Sequence, residues 1–176
     1  PFRRKKRIAF AARGEITLAA LREPSLPSLV EFGARTLMQA VRADRAAVWV
    51  AGSGASRVFS GSVAGSADEP QPEGWECLDV SASFFEDLLT KQEPLVMDLE
   101  KSPLVPMIGP LLGMRRAAWM PLRAGSRVLG LAMAAYHSLQ PPVPTGLLGD
   151  LGNELALAVM SRREADLRAR REEDLA

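Results

Sequence analysis

Apolar residues along this chain recur at helical spacing near both ends and in strand-like runs between them. From Arg3 to Arg22 the residues favour a helix, with Ile8, Ala11, Ala12, Ile16, Leu18, Ala19 and Leu21 as its apolar members and Gly14 as a break in the pattern. Glu23-Pro24-Ser25 stops it, and Ser25 is placed to cap a second helix that tolerates Pro27 in its first turn. Leu29, Phe32, Gly33, Leu37, Ala40 and Val41 give that helix a face to bury, and the pattern carries it to about Arg42. Ala46 to Ala51 is apolar on both faces, as a central strand is. Ser56 to Ala64 reads as its hairpin partner across the turn Gly52-Ser53-Gly54-Ala55.

Beyond a polar loop, Gly65 to Gly74, a short strand is expected around Glu76 to Val80. A helix through Phe84, Phe85, Leu88 and Leu89 follows, capped by Ser81 or Ser83. Pro94 to Leu99 is extended, and Pro103 to Met114 predicts one or two short helices ending at Gly113. Ala117 to Arg123 and Arg127 to His137 predict a second hairpin around Ala124-Gly125-Ser126. Pro141, Pro142 and Pro144 end it, and Thr145 is positioned to cap a long final helix. That helix carries Leu147, Leu148, Leu151, Leu155, Leu157, Ala158 and Val159, then a charged stretch from Arg162 to Glu173. The order of elements predicts an α+β fold, an antiparallel sheet covered by helices.

Composition narrows the function classes. A chain of 176 residues, nearly half apolar and 24% charged, is the size of one domain and can bury a core. Basic and acidic residues almost cancel, 22 against 21, so no global field draws in nucleic acid. One cysteine, Cys77, and one histidine, His137, exclude an internal disulfide and make no zinc site without carboxylates. Apolar runs fall short of the roughly 20 residues that span a bilayer. The basic start also leads into an apolar run that Arg13 and Glu15 interrupt too early for a signal peptide. The proline start and the end within a helix read as a segment of a larger protein, with a cytoplasmic location expected.

Four segments carry a family resemblance. Ala43-Asp44-Arg45-Ala46-Ala47-Val48-Trp49-Val50 follows the second helix, and Pro94-Leu95-Val96-Met97-Asp98 follows the third. Leu112-Gly113-Met114-Arg115-Arg116-Ala117-Ala118-Trp119-Met120-Pro121-Leu122 and Gly125-Ser126-Arg127-Val128-Leu129-Gly130-Leu131-Ala132-Met133 make the second hairpin, with Arg116 where a serine is commoner. In this order and spacing they resemble a GAF domain over Leu26 to Ser161. The resemblance implies a GAF-like, PAS-related α+β fold: a central antiparallel sheet of about five or six strands, helices on both faces, and long N- and C-terminal helices. Residues 1–24 would be a helical linker, 25–161 the sensor domain and 162–176 the start of a signalling helix. Gly125 suits the tight turn, Gly130 a close approach of a neighbouring strand, and Pro121 a loosening of pairing.

The resemblance also implies a ligand pocket on one sheet face. Its roof would be Phe84, Phe85, Leu104, Met107, Ile108 and Leu111, and its floor Ala117, Trp119, Met133 and Ala135. Such a pocket would suit a small flat or apolar molecule. The plainer reading is that these side chains fill the core, Trp119 taking much of the space. Known ligands of the family fit poorly. Val105 and Ala135 fall where the phytochrome class has histidines, which speaks against a bilin. The residue set of cyclic-nucleotide binders is not assembled, and His137, at a strand end, suits a surface position better than a haem ligand. The cofactor therefore stays unknown, and no metal site is read. The family's methionine sulfoxide reductases need a resolving cysteine that Cys77 lacks, and no catalytic residues are assigned. Asp79, Glu86, Asp87, Asp98 and Glu100 read as solvated charges.

Family resemblance further implies a homodimer through the terminal helices and an output domain, such as a histidine kinase, in the same chain. Leu148, Leu151, Leu155 and Ala158 follow three-four spacing and are the expected dimer interface, with Glu164 and Arg168 as an i,i+4 pair beyond them. The run Arg3 to Arg7 reads as a solvated helix start, a juxtamembrane segment after an upstream span, or an anionic-lipid contact, in that order of preference. Nucleic acid is the poorest fit, since only Phe2 and Phe10 accompany the run.

Overall fold

The computed structural model describes residues 2–52, 57–66, 74, 76–101, 111 and 113–176, with only the backbone of Phe2. In chain order the elements are α1 (Phe2–Arg22), α2 (Leu26–Ala40), β1 (Arg45–Ala51), β2 (Val58–Gly65) and β3 (Cys77–Asp79). They continue as α3 (Ser83–Leu89), β4 (Leu95–Asp98), β5 (Arg116–Ala124), β6 (Arg127–Tyr136) and α4 (Thr145–Leu175). The strands form one six-stranded sheet in the order β3-β2-β1-β6-β5-β4, every pair antiparallel. The α+β reading of the sequence holds; the short helices expected over Pro103 to Met114 fall almost wholly outside the described residues.

Alternation along the strands divides the core in two. Ala118, Met120, Leu122, Ala132, Ala134 and Tyr136 face α2 and α4, which lie directly on the sheet. Ala117, Trp119, Leu131, Met133 and Ala135 face the side that holds α3. α1 forms an outer layer in the groove between α2 and α4, burying Ala12, Ile16 and Ala19. α1 and α4 run parallel: Arg13 meets Glu154 at 3.0 Å, and one residue beyond the end of α1 the Glu23 carbonyl accepts from Arg162 at 3.3 Å.

Local chemistry sets the element ends. Ser25 and Ser28 form a capping box at the start of α2, each backbone N–H donating to the other's Oγ at 3.3 Å. α1 passes unbroken through Gly14, which is exposed, because the anchoring residues on either side of it hold the helix down. α2 closes at Val41, and Arg42 at φ 53° turns the chain toward β1. Two expected caps are corrected. The N-cap of α3 is Ala82, whose carbonyl accepts from the Glu86 N–H at 3.2 Å; Ser81 lies one residue outside, its N–H donating to Asp79 Oδ1 at 2.9 Å, while Ser83 and Thr145 are the first helical residues of α3 and α4 rather than their caps. Pro121 stays paired with Leu131; the register shifts one residue later, between Leu122 and Arg123, where Leu129 falls between partners as a bulge.

Tyr136 ties the two layers together at the end of β6. Its hydroxyl donates to the Val41 carbonyl at 2.9 Å, and the Arg116 guanidinium stacks 4.7 Å above its ring. Arg116 itself is buried and donates to the Leu139 carbonyl at 3.0 Å. Burial pushes the Tyr136 phenol up to about 12 from 10, with Arg116 opposing and Asp44 adding to the shift. Between those values the unfolded chain releases this proton and the folded chain keeps it. Stability is therefore lost as pH rises through that window. Urea midpoints across the window are expected to fall less steeply for Tyr136→Phe than for the wild type.

Candidate functional site

Two regions were singled out by the sequence, and the fold places them on opposite faces. On the α3 side, Ala117, Trp119, Met133 and Ala135 share one fully buried surface, with Phe85 and Leu111 buried beside them and Phe84 partly covered. Leu104, Met107, Ile108 and Val105 lie outside the described residues.

Trp119 is the centre of this surface. Its ring meets Phe84 edge-on at 5.7 Å and Phe85 at 6.1 Å, and the two phenyl rings are themselves 5.1 Å apart. Its indole N–H donates to Met97 Sδ at 3.2 Å, so the one polar atom of the side chain is satisfied inside the core. Trp49, fully buried from β1, occupies the same layer. Sequence reading missed Trp49 and Met97 as members of this site. β1 is apolar on both faces, so alternation gave no sign of which way Trp49 points, whereas pairing of Met97 with Ala117 is a matter of strand order. Two open grooves, of about 490 and 420 Å³, lie elsewhere. One runs along Lys6, Phe10 and Arg13 of α1 beside Asp150, the other past Pro94, Met120 and Gly149 at the start of α4.

The acidic residues do not gather into a reaction centre. Glu86 pairs with Arg57 at 2.8 Å and Glu100 with Arg115 at 3.3 Å, both at the exposed surface. Hydrogen bonds from Ser81 hold the Asp79 carboxyl below its ordinary range. Among the described residues no three of His, Cys, Asp and Glu are grouped to hold a metal. Cys77 is exposed on the short edge strand β3, opposite Ser60. His137 is exposed at the end of β6, where its Nδ1 lies 3.0 Å from the Gly113 carbonyl and its backbone N–H donates to Asp44 Oδ2 at 2.8 Å.

At the terminal helices the expected interface is corrected. Leu148, Leu151, Leu155 and Ala158 are buried in the chain's own core, under α1 and α2 and against the sheet, so a second copy cannot reach them. The apolar residues left uncovered beside the core are others, Phe10 at 82% exposure, Leu18 at 52%, Leu21 at 76% and Leu157 at 56%, with Leu167 and Leu175 exposed farther along α4. Phe10, Gly14, Leu18 and Leu21 form a stripe opposite Ala12, Ile16 and Ala19, on the outermost crest of the molecule. A second apolar stripe on α1 was the available signal. Past Val159 the helix is held by Arg162, which reaches both Glu23 and Asp166, and by Arg163, which donates to the Ala51 carbonyl at the end of β1. Arg168 and Glu164 pair at 3.9 Å as expected.

No family profile and no curated protein matches this chain. Solved structures do. A phycoerythrobilin-bound GAF domain from a cyanobacterial phytochrome aligns with a TM-score of 0.69 at 11% identity, over 90% of this chain and 97% of that one. The GAF domain of a phosphoenolpyruvate-protein phosphotransferase from Coxiella burnetii aligns at 0.67 and 14%, over 90% and 96%. The free methionine-R-sulfoxide reductase of Neisseria meningitidis, in complex with its substrate, aligns at 0.67 and 15%, over 89% and 91%. With six antiparallel strands, α2 and α4 on one face and α3 on the other, the chain has the fold of a GAF domain.

Proposed function

We propose that this domain is a non-catalytic regulatory or sensory module of a longer, cytoplasmic signalling protein, paired with a second copy through its terminal helices. The observation that carries this reading is the division of α4. Leu148 to Val159 is built into the core, while residues 164–175 run on with every side chain except that of Asp166 exposed. Arg162 and Arg163 grip the helix where these halves meet. A shift at the end of β1 or at the joint between α1 and α2 therefore reaches the outgoing helix directly. The similar structures include the GAF domains of a phytochrome and of a phosphotransferase, and a methionine-R-sulfoxide reductase. Against the reductase reading, the chain's one cysteine has no second thiol to resolve an oxidised intermediate.

Leu18, Leu21 and Leu157 are the residues assigned to the dimer. Leu18→Glu/Leu21→Glu leaves the core untouched and places two carboxylates on the crest. Sedimentation is expected to show the wild type as a dimer and this variant at least tenfold weaker in self-association. Unchanged sedimentation would remove the crest from the interface. A second reading, a structural spacer with a full core, is favoured by the complete burial of Trp119 among aromatic neighbours. Native mass spectrometry separates the two: mass lost on denaturation identifies a held ligand, and a clean apo dimer favours the spacer.

A further inference from the structure

We propose that the pole of the molecule where α1 and α4 begin docks on an anionic lipid surface. Arg3, Arg4, Lys5, Lys6 and Arg7 are consecutive and all exposed in the first two turns of α1. At 100° per residue, five consecutive positions go around the whole helix rather than lining one face. They form a collar. A groove in a partner protein or a nucleic-acid backbone meets a helix along one side. A headgroup layer surrounds a helix that enters it and offers anions in every direction, which is the geometry a collar fits.

Charge across the molecule is polarised to match. Outside the collar, 17 basic residues face 21 acidic ones, so the five cations stand against an acidic remainder. Because α1 and α4 are parallel, and contacting positions on them differ by about 140 in number, the collar lies level with the start of α4. Neither helix has an acidic residue in its first turn, and Asp150 is the one carboxylate lining the groove beside Lys6. At the far end of α4, roughly 45 Å away at 1.5 Å per residue, Arg168, Arg170 and Arg171 are balanced by Glu172, Glu173 and Asp174. The net positive charge is therefore concentrated at the collar, and the molecule would be steered collar-first. Phe10, one turn in and 82% exposed, is placed to enter the interfacial layer behind the charges. The proposal does not rest on the dimer, although two parallel copies would present both collars to the same plane.

The test is co-sedimentation of the 176-residue chain with vesicles of phosphatidylcholine alone and of an equal mixture with phosphatidylglycerol. At about fivefold in partition per cation, binding to the mixed vesicles is expected to exceed that to the neutral ones by at least a hundredfold, and to weaken as salt rises. Replacing the five collar residues with glutamine should bring it to the neutral level, while glutamine at Arg168, Arg170 and Arg171 should leave it unchanged. Near-UV circular dichroism of the buried tryptophans confirms that each variant is folded, and Arg3→Gln/Arg4→Gln serves if the five-residue change is not. Equal binding to both vesicles overturns the proposal. So does undiminished binding by a folded collar variant, or equal loss from the distal substitutions. Tighter binding to a DNA duplex than to the mixed vesicles at the same salt would assign the collar to nucleic acid instead.

Discussion

Trp119→Ala is expected to destabilise the domain by about 4 kcal/mol, and added indole is expected to restore part of that loss. The side chain is fully buried between Phe84, Phe85 and Met97, and its neighbours on the sheet, Ala117 and Ala135, are too small to close the gap. Sheet register fixes the backbone on both sides, since Trp119 is paired with Leu95 and with Met133. Little collapse can follow the truncation, so the cost includes most of the cavity. A dry cavity of about 150 Å³ lined by apolar groups takes up a small aromatic molecule, and indole is the fragment removed. Thermal denaturation checks both parts. For a domain of this length the midpoint should fall by roughly 8–16 °C, and saturating indole should raise it in the variant but not in the wild type. A loss below about 1 kcal/mol would mean that Trp119 borders open space. That outcome would favour a ligand site over the spacer reading.

The same residue illustrates what was legible in the sequence. Alternation gave each of β5 and β6 one inward parity, the family resemblance picked Ala117, Trp119, Met133 and Ala135 as that set, and the four share one face. The hairpin turn at Gly125 was equally readable, and its φ of 61° is the conformation glycine favours. Periodicity states that a face is buried; it does not state against what. The three-four stripe Leu148, Leu151, Leu155 and Ala158 was therefore assigned to a second copy, although the chain's own sheet covers it. An intramolecular surface wins such a competition because it costs no association entropy. Helix ends misled for a related reason. Ser81 and Thr145 are good caps by type, but each stands one residue from the cap position: Ser81 lies outside α3 in a turn on Asp79, and Thr145 is already helical directly after Pro144. The relevant competitor in each case was a tertiary contact or a neighbour's side chain, neither of which propensity weighs.

A second large effect is expected at Gly130, where Gly130→Val should cost more than about 3 kcal/mol, beyond the usual range for overpacking. Gly130 pairs with Val50 on one side and Leu122 on the other, next to the bulge at Leu129. A Cβ at Gly130 would lie 2.1 Å from the Trp49 carbonyl oxygen. That obstacle is backbone in the middle strand of the sheet, and it can move only if β1 separates from β6. Gly33 makes the control. A Cβ there would come within 2.6 Å of Leu155, but the atom it meets is the terminal Cδ2 of a side chain that can change rotamer. Gly33→Ala also gains up to about 1 kcal/mol of helix propensity, so its net change is expected to stay within about 1 kcal/mol. Urea denaturation of the two variants distinguishes a fixed backbone contact from a mere preference for small residues. If Gly130→Val and Gly33→Ala were equally mild, β1 and β6 would have to separate more easily than their paired register implies. The path proposed from the end of β1 through Arg163 to the outgoing helix would then begin in a strand that gives way, instead of one that holds its position and transmits a shift.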